Sequence, residues 1–196
     1  MKKPFTLVFR AFLFLILLVP AGNLTAQNVY IPDPNLKSLL VNDFTINTNM
    51  DGEIQVSEAT ATTGTLYCSY NGIYDMTGIE AFVNITGLQC GSNYISNLDL
   101  SSNTLLTDLS CYSNFLTSLD LSNNTALTGV TFGSNFITSM DFSSNTALTD
   151  IAGEYNQMTS IVLPAGPTLT NLYIPGNQLT SIDVSVVPNL IYLYVG

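Results

Sequence analysis

Leu106-Thr107-Asp108-Leu109-Ser110-Cys111-Tyr112-Ser113-Asn114-Phe115-Leu116, followed by Leu119-Asp120-Leu121, returns with the same residue types every 21 residues along the chain after Thr86. Leu88, Leu109, Val130, Ile151, Leu172 and Leu193 form one column of the repeat, and Asn93, Asn114, Asn135, Asn156 and Asn177 a second. Ile95, Leu116, Ile137, Met158 and Leu179 make a third, and Leu98, Leu119, Met140, Ile161 and Ile182 a fourth. Leu100, Leu121, Phe142, Leu163 and Val184 follow as a fifth, with Leu106, Leu127, Leu148, Leu169 and Leu190 completing the set. An earlier, slightly longer turn begins at Leu66, its Asn71 and Ile73 standing 22 residues before Asn93 and Ile95. A fixed period of this kind predicts a solenoid in which each turn buries the apolar face that its neighbours leave open.

Within one turn, alternation turns Leu109 and Cys111 inward on a short strand, which stacks in parallel on the next turn about 4.8 Å away. The asparagine column then has a mechanical reading, each amide bonding backbone groups set free where the chain leaves the strand. The remainder of each turn lacks helical periodicity, so turns and a second short strand at the Leu-Asp-Leu segments are expected on the convex side. Written as Leu106-x-x-Leu109-x-Cys111-x-x-Asn114-x-Leu116, the turn resembles the leucine-rich repeat over roughly residues 65–196. The phrase Leu119-Asp120-Leu121-Ser122-Asn123-Asn124 is similar to that of short-repeat, internalin-like surface proteins of bacteria. That resemblance implies a parallel sheet on a concave face and recognition of a protein or glycan partner outside the cell.

Residues 1–26 read as an export signal, with Lys2, Lys3 and Arg10 before an apolar run from Ala11 to Pro20 and a small residue at Ala26. Residues 27–64 are expected to form an N-terminal cap and residues 65–196 about seven rungs, the last incomplete, so that the natural chain is expected to continue past Gly196. A secreted or surface-attached protein follows, with no membrane insertion and with a monomer as the simplest state. Beyond residue 26 the sole basic residue is Lys37, against fourteen Asp and Glu in the chain. Such a surface cannot neutralise phosphates, which excludes nucleic acid as a partner.

In the cap, Asp33 is placed to cap a helix with Pro34 in its first turn and Leu36, Leu39 and Leu40 on its apolar face. The following stretch, Asn47 to Glu58, resembles an EF-hand loop in its spacing: Asn47, Asn49 and Asp51 at the first, third and fifth places, Gly52 at the sixth, Ile54 at the eighth and Glu58 at the twelfth. Glu53 would add its carbonyl. Calcium is the implied cofactor, weakly held and structural, because Asn47 replaces the usual aspartate; the competing reading is a tight loop that orients the cap without metal.

Cys68, Cys90 and Cys111 line up one turn apart at inward places, where free cysteine behaves as a small hydrophobe. Their odd count argues against a disulfide framework. Asp99, Asp120, Asp141 and Asp183 form an outward column interrupted by Val162, to be compensated by neighbouring Ser, Thr and backbone groups or by a loose cation. Carboxylates one rung apart match the spacing of about 5 Å in a retaining glycosidase, but a convex face has no cleft for a sugar ring. The chain has no His and no Arg after Arg10, so the commonest base and oxyanion clamp are missing and no catalytic residues are assigned. Ligand contact is expected instead on the concave face, where Tyr67, Gln89, Tyr112, Glu154 and Tyr173 point outward among small residues such as Gly91 and Gly133. The sequence therefore reads as a binding and adhesion module. A structural spacer without a ligand and a carboxylate-based polysaccharide hydrolase are its rivals.

Overall fold

The computed structural model describes residues 27–196, and the export signal expected at residues 1–26 lies outside the described residues. From the cap onward the elements are α1 (Pro34–Val41), α2 (Val56–Ala61), β1 (Gly64–Tyr67), a 3-10 turn at Ile79–Ala81, β2 (Ile85–Gln89), β3 (Asp108–Ser110) and β4 (Gly129–Thr131). They continue with β5 (Ser139–Asp141), β6 (Asp150–Ala152), β7 (Ser160–Val162), β8 (Asn171–Tyr173) and β9 (Tyr192–Tyr194). A seven-stranded parallel sheet runs β1-β2-β3-β4-β6-β8-β9, one strand per turn, which is the leucine-rich repeat solenoid. Its register places Leu88, Leu109, Val130, Ile151, Leu172 and Leu193 opposite one another, the first column of the repeat.

All but the last of these leucine-column residues are buried, as are Ile95, Leu116, Ile137 and Met158 and the leucines from Leu106 to Leu169. Together they form one continuous cluster from Val29 to Val187, because no single turn can bury its own face. Leu193, on the last rung, is 43% exposed.

Rungs of three residues leave much backbone unpaired, and asparagine amides take up those groups. Asn114 Nδ2 donates to Cys90 O and Cys111 O, each at 3.0 Å, while its Oδ1 accepts from Ile95 N at 3.0 Å. Asn93, Asn135, Asn156 and Asn177 repeat the arrangement, each bridging the carbonyls of its own and the preceding turn. Asn71 departs from it, being exposed, with Nδ2 on Ser69 O. The residue just before each column asparagine sits in the left-handed region: Ser92, Ser113, Ser134, Tyr155 and Gly176 have φ of 55°, 52°, 56°, 52° and 68°. Non-glycine residues pay strain there, so the amide bonds hold the chain in a corner it would not choose.

A second amide ladder, not anticipated, runs on the convex side: Asn103, Asn124 and Asn145 are fully buried, and each Nδ2 donates to carbonyls of the preceding turn. Convex strands were expected in every turn, but only β5 and β7 form, paired in parallel. The Asp side chain accepts from the N–H two residues on at Asp99, at Asp120 and also at Asp141 within β5, while at β7 Val162 has no carboxylate and its branched side chain favours extension.

Replacing Asn114 by Ala removes three buried partners at once and is expected to lower unfolding free energy in urea by about 1–3 kcal/mol. Asn123 is exposed, and its replacement by Ala should stay within about 0.5 kcal/mol.

Candidate functional site

On the concave face the outward residues gather into two groups. Toward the cap, Tyr112 Oη lies 2.7 Å from Tyr70 Oη with the rings edge to face. That hydrogen bond lowers the pKa of Tyr70 and raises that of Tyr112. Tyr67 stands 72% exposed at the end of β1, and Gln89 Nε2 donates across one rung to Asp108 Oδ1. Toward the other end, Tyr173 stacks on both Tyr192 and Tyr194 of β9, with centroids 6.5 and 5.5 Å away. Burial first, then the neighbouring Tyr155 and Glu154, raises the Tyr173 pKa.

The room expected above Gly91 and Gly133 is already taken. A Cβ on Gly91 would meet the Tyr112 ring at 2.3 Å, and one on Gly133 the Glu154 carboxyl at 2.4 Å, so each larger side chain lies down over the glycine of the preceding rung. Glu154 Oε2 is buried in this position without a protein partner. Open space lies instead between the two tyrosine groups, where Gly129, Thr131 and Ala152 floor a depression of about 520 Å³ walled by Asp108, Asp150, Tyr173 and Tyr192. Tyr112 and Tyr173, expected to act together, stand on opposite sides of β4, on the rungs of β3 and β8.

An aromatic ladder runs along the sheet's C-terminal edge. Tyr74, Tyr94, Phe115 and Phe136 stack in sequence with centroids 4.7, 6.1 and 6.1 Å apart, each 44–63% exposed. The signal was available, since each of the last three directly follows a column asparagine.

The remaining constellations are quiet chemically. Cys68, Cys90 and Cys111 are buried free thiols, and burial pushes Cys68 and Cys111 up to about 12 and Cys90 well above its ordinary value. Asp99, Asp120 and Asp141 accept from the backbone N–H of Ser101, Ser122 and Ser143, bonds that hold their carboxyls below the usual range. The Ser185 hydroxyl and N–H do the same for Asp183.

In the cap, Asp33 joins helix to solenoid. Its Oδ1 caps α1 at Asn35 N and Leu36 N, and its Oδ2 accepts from Tyr74 N and Asp75 N in the first turn. Lys37 pairs with Glu53 at 2.6 Å. In the loop resembling an EF-hand, Gly52 adopts φ 79° and Ile54 is fully buried. Asn47 is 2% exposed, its Nδ2 on Val41 O and its Oδ1 without a protein partner. Asn49 Oδ1 accepts from Asp51 N, and Asp51 Oδ1 from Glu53 N. Glu58 closes the loop as an acceptor for Thr48 N, Thr48 Oγ1, Asn49 N and Gln55 N, the last bond completing a capping box on α2. Among the described residues no group of three or more His, Cys, Asp or Glu is arranged to hold a metal, and no helix is long and apolar enough to cross a membrane.

No protein-family model matches the chain. A stretch of 85 residues, 43% of the chain, is 39% identical to internalin J of Listeria monocytogenes, but it spans only 9% of that relative. Among solved structures, the functional domain of that internalin, described as including a cysteine ladder, superposes with a TM-score of 0.57 at 27% identity, over 87% of this chain and 47% of the other. A leucine-rich repeat protein of Leptospira interrogans superposes at 0.59 with 16% identity over 66% and 36% of the two chains, a likeness of fold alone.

Burial opposes ionisation of both Asp33 and Glu58, but their hydrogen-bond donors outweigh it and hold both carboxyls below the ordinary range. Their contribution to stability is therefore complete above the unfolded value of about 4 and is lost as pH falls through the lower folded values. Thermal melts from pH 6 to 2 should show the midpoint falling below about pH 4, with a shallower fall in Glu58→Gln; an equal fall in the variant would remove Glu58 from this account.

Proposed function

We propose that this chain, which is an internalin-like leucine-rich repeat protein, is an extracellular binding module whose concave face recognises a protein or glycan partner. The observation that carries the reading is the depression of about 520 Å³ over Gly129, Thr131 and Ala152, set between two groups of tyrosines on a sheet of seven strands. Tyrosine offers rigid contact area with a polar tip and loses little rotamer freedom on binding. Tyr173, in the wall of the depression, and Tyr112 and Glu154, outside its lining, are the proposed main contacts, with Tyr67 and Gln89 toward the cap. A partner that draws the Glu154 carboxylate off Gly133 can offer a hydrogen-bond donor to the oxygen that is buried and unpartnered there.

Catalysis is not part of the proposal. The chain has no His, and the outward aspartates are occupied as turn-forming acceptors. Secretion or surface attachment and a monomeric state belong to it, and a ligand-free spacer is its rival. Calcium at the Asn47–Glu58 loop belongs to it too: the buried Asn47 Oδ1 supplies an unused ligand, alongside Asn49, Asp51, the Glu53 carbonyl and Glu58. Glu58 must then release one of its donors, which makes the ion a weak staple that fixes the cap and takes no part in recognition.

Tethering the purified protein and screening glycans and cell-surface proteins, in millimolar calcium and then in chelator, tests the whole reading. A specific hit lost in Tyr173→Ala, with an unchanged melt, supports the concave site. A hit indifferent to Tyr112, Glu154 and Tyr173 moves the site elsewhere, and no hit from folded protein favours the spacer. Calcium filling a site of about 0.1–1 mM affinity should stabilise the fold by about 1 kcal/mol, which chelator removes.

A further inference from the structure

A second cleft lies away from the concave depression, between the cap and the first rung, with a volume of about 760 Å³. Its walls are the C-terminal half of α1, the turn that follows and the start of the repeat. Two aromatic rings stand open on it: Phe44 in the turn, 67% exposed, and Tyr67 at the end of β1, 72% exposed.

The polar groups of the cleft are oriented by bonds within the protein. Asn35 Nδ2 donates to Gly72 O at 2.8 Å, Asn42 Nδ2 to Ser38 O at 2.8 Å and Asn71 Nδ2 to Ser69 O at 2.7 Å. Each amide uses one N–H on a backbone carbonyl, which fixes its orientation and leaves its carbonyl oxygen open, while Asn35 and Asn71 each keep a second N–H. Asp43 follows the same pattern, its Oδ1 holding Thr45 N and Thr45 Oγ1 while Oδ2 is left over. The cleft thus sets acceptors on Asn35, Asn42, Asn71 and Asp43 beside donors that include the hydroxyls of Ser38, Thr63, Thr65 and Tyr67. No Lys or Arg lines it, and Lys37 is held by Glu53.

We infer that this cap–rung cleft binds a neutral saccharide, whose apolar ring face lies on Phe44 or Tyr67 and whose hydroxyls donate to Asn35, Asn42, Asn71 and Asp43. A saccharide with carboxylates is rejected, since it would meet acceptors and a carboxylate with no cation to pair it. A cationic peptide fits less well than a sugar, because one carboxylate among amide and hydroxyl groups suits a ligand that both donates and accepts, while an ammonium only donates. A cleft of this size is in the range that holds small ligands. This site shares Tyr67 with the concave one but not Tyr112, Glu154 or Tyr173, so Phe44→Ala and Tyr173→Ala tell the two apart.

The test uses the purified protein on a glycan array, then calorimetry with chitotriose, N-acetyllactosamine, sialyl-lactose and a lysine-rich peptide. Binding of a neutral glycan without binding of sialyl-lactose is expected, weakened about tenfold in Phe44→Ala and kept in Tyr173→Ala. Both side chains are largely solvent-facing or stacked, and melts confirm that the variants fold; Asn71→Ala, at an exposed residue, provides a second reading of the same site. No neutral glycan bound at millimolar concentration overturns the inference. So does binding indifferent to both Phe44→Ala and Asn71→Ala, or displacement of the sugar by the lysine-rich peptide.

Discussion

A parallel rung three residues long pairs only part of the backbone of its turn, and at the corner where main-chain bonds between turns leave groups over, one buried asparagine takes them up. The amide does so in both directions: Nδ2 bridges the carbonyls of two successive turns, and Oδ1 receives the N–H of the turn before. Burying those groups unpaired would cost about 1–3 kcal/mol each. The bonds also hold the left-handed corner at Ser92, Ser113 and Ser134, where the backbone turns out of the sheet. Corner and rung together decide where each outward side chain points, so the concave face inherits its geometry from residues that never touch a ligand.

The concave surface is shaped by the same vertical logic. Tyr112 lies over Gly91 and Glu154 over Gly133, so a glycine on one rung makes space for a large side chain on the next. The depression survives where the rungs carry Gly129, Thr131 and Ala152 and no neighbour reaches across. At the cap, the Asp33 carboxylate spans α1 and the first turn, so the cap is bonded to the solenoid as well as packed on it. The cleft beside it is a consequence of a helical cap meeting a flat rung.

Much of this was legible as columns. The leucine register, the asparagine bonds, the buried free cysteines and the Asp33 cap follow from period and residue type, because each is enforced by burial or by a backbone group without a partner. What escaped depends on contacts between turns that the period does not specify. The spacing of Tyr94, Phe115 and Phe136 was in the sequence, yet their stacking depends on ring orientation across rungs. Asn103, Asn124 and Asn145 looked like turn residues until their burial showed a second ladder. Gly91 and Gly133 read as open floor because a column of residue types does not show which way Tyr112 and Glu154 lean. Convex strands were overestimated because Leu-Asp-Leu alternates like a strand, yet alternation does not specify whether the next turn pairs with it.

Amide hydrogen exchange by NMR tests the central role of the asparagine column most directly. The amides of Ile95, Leu116 and Ile137, each bonded to an asparagine Oδ1, should rank among the slowest to exchange, and in Asn114→Ala the protection of Ile95 should fall while that of Ile137 is kept. Fast exchange at all three amides in the unaltered protein would contradict the account, as would a loss of protection spread evenly over every turn.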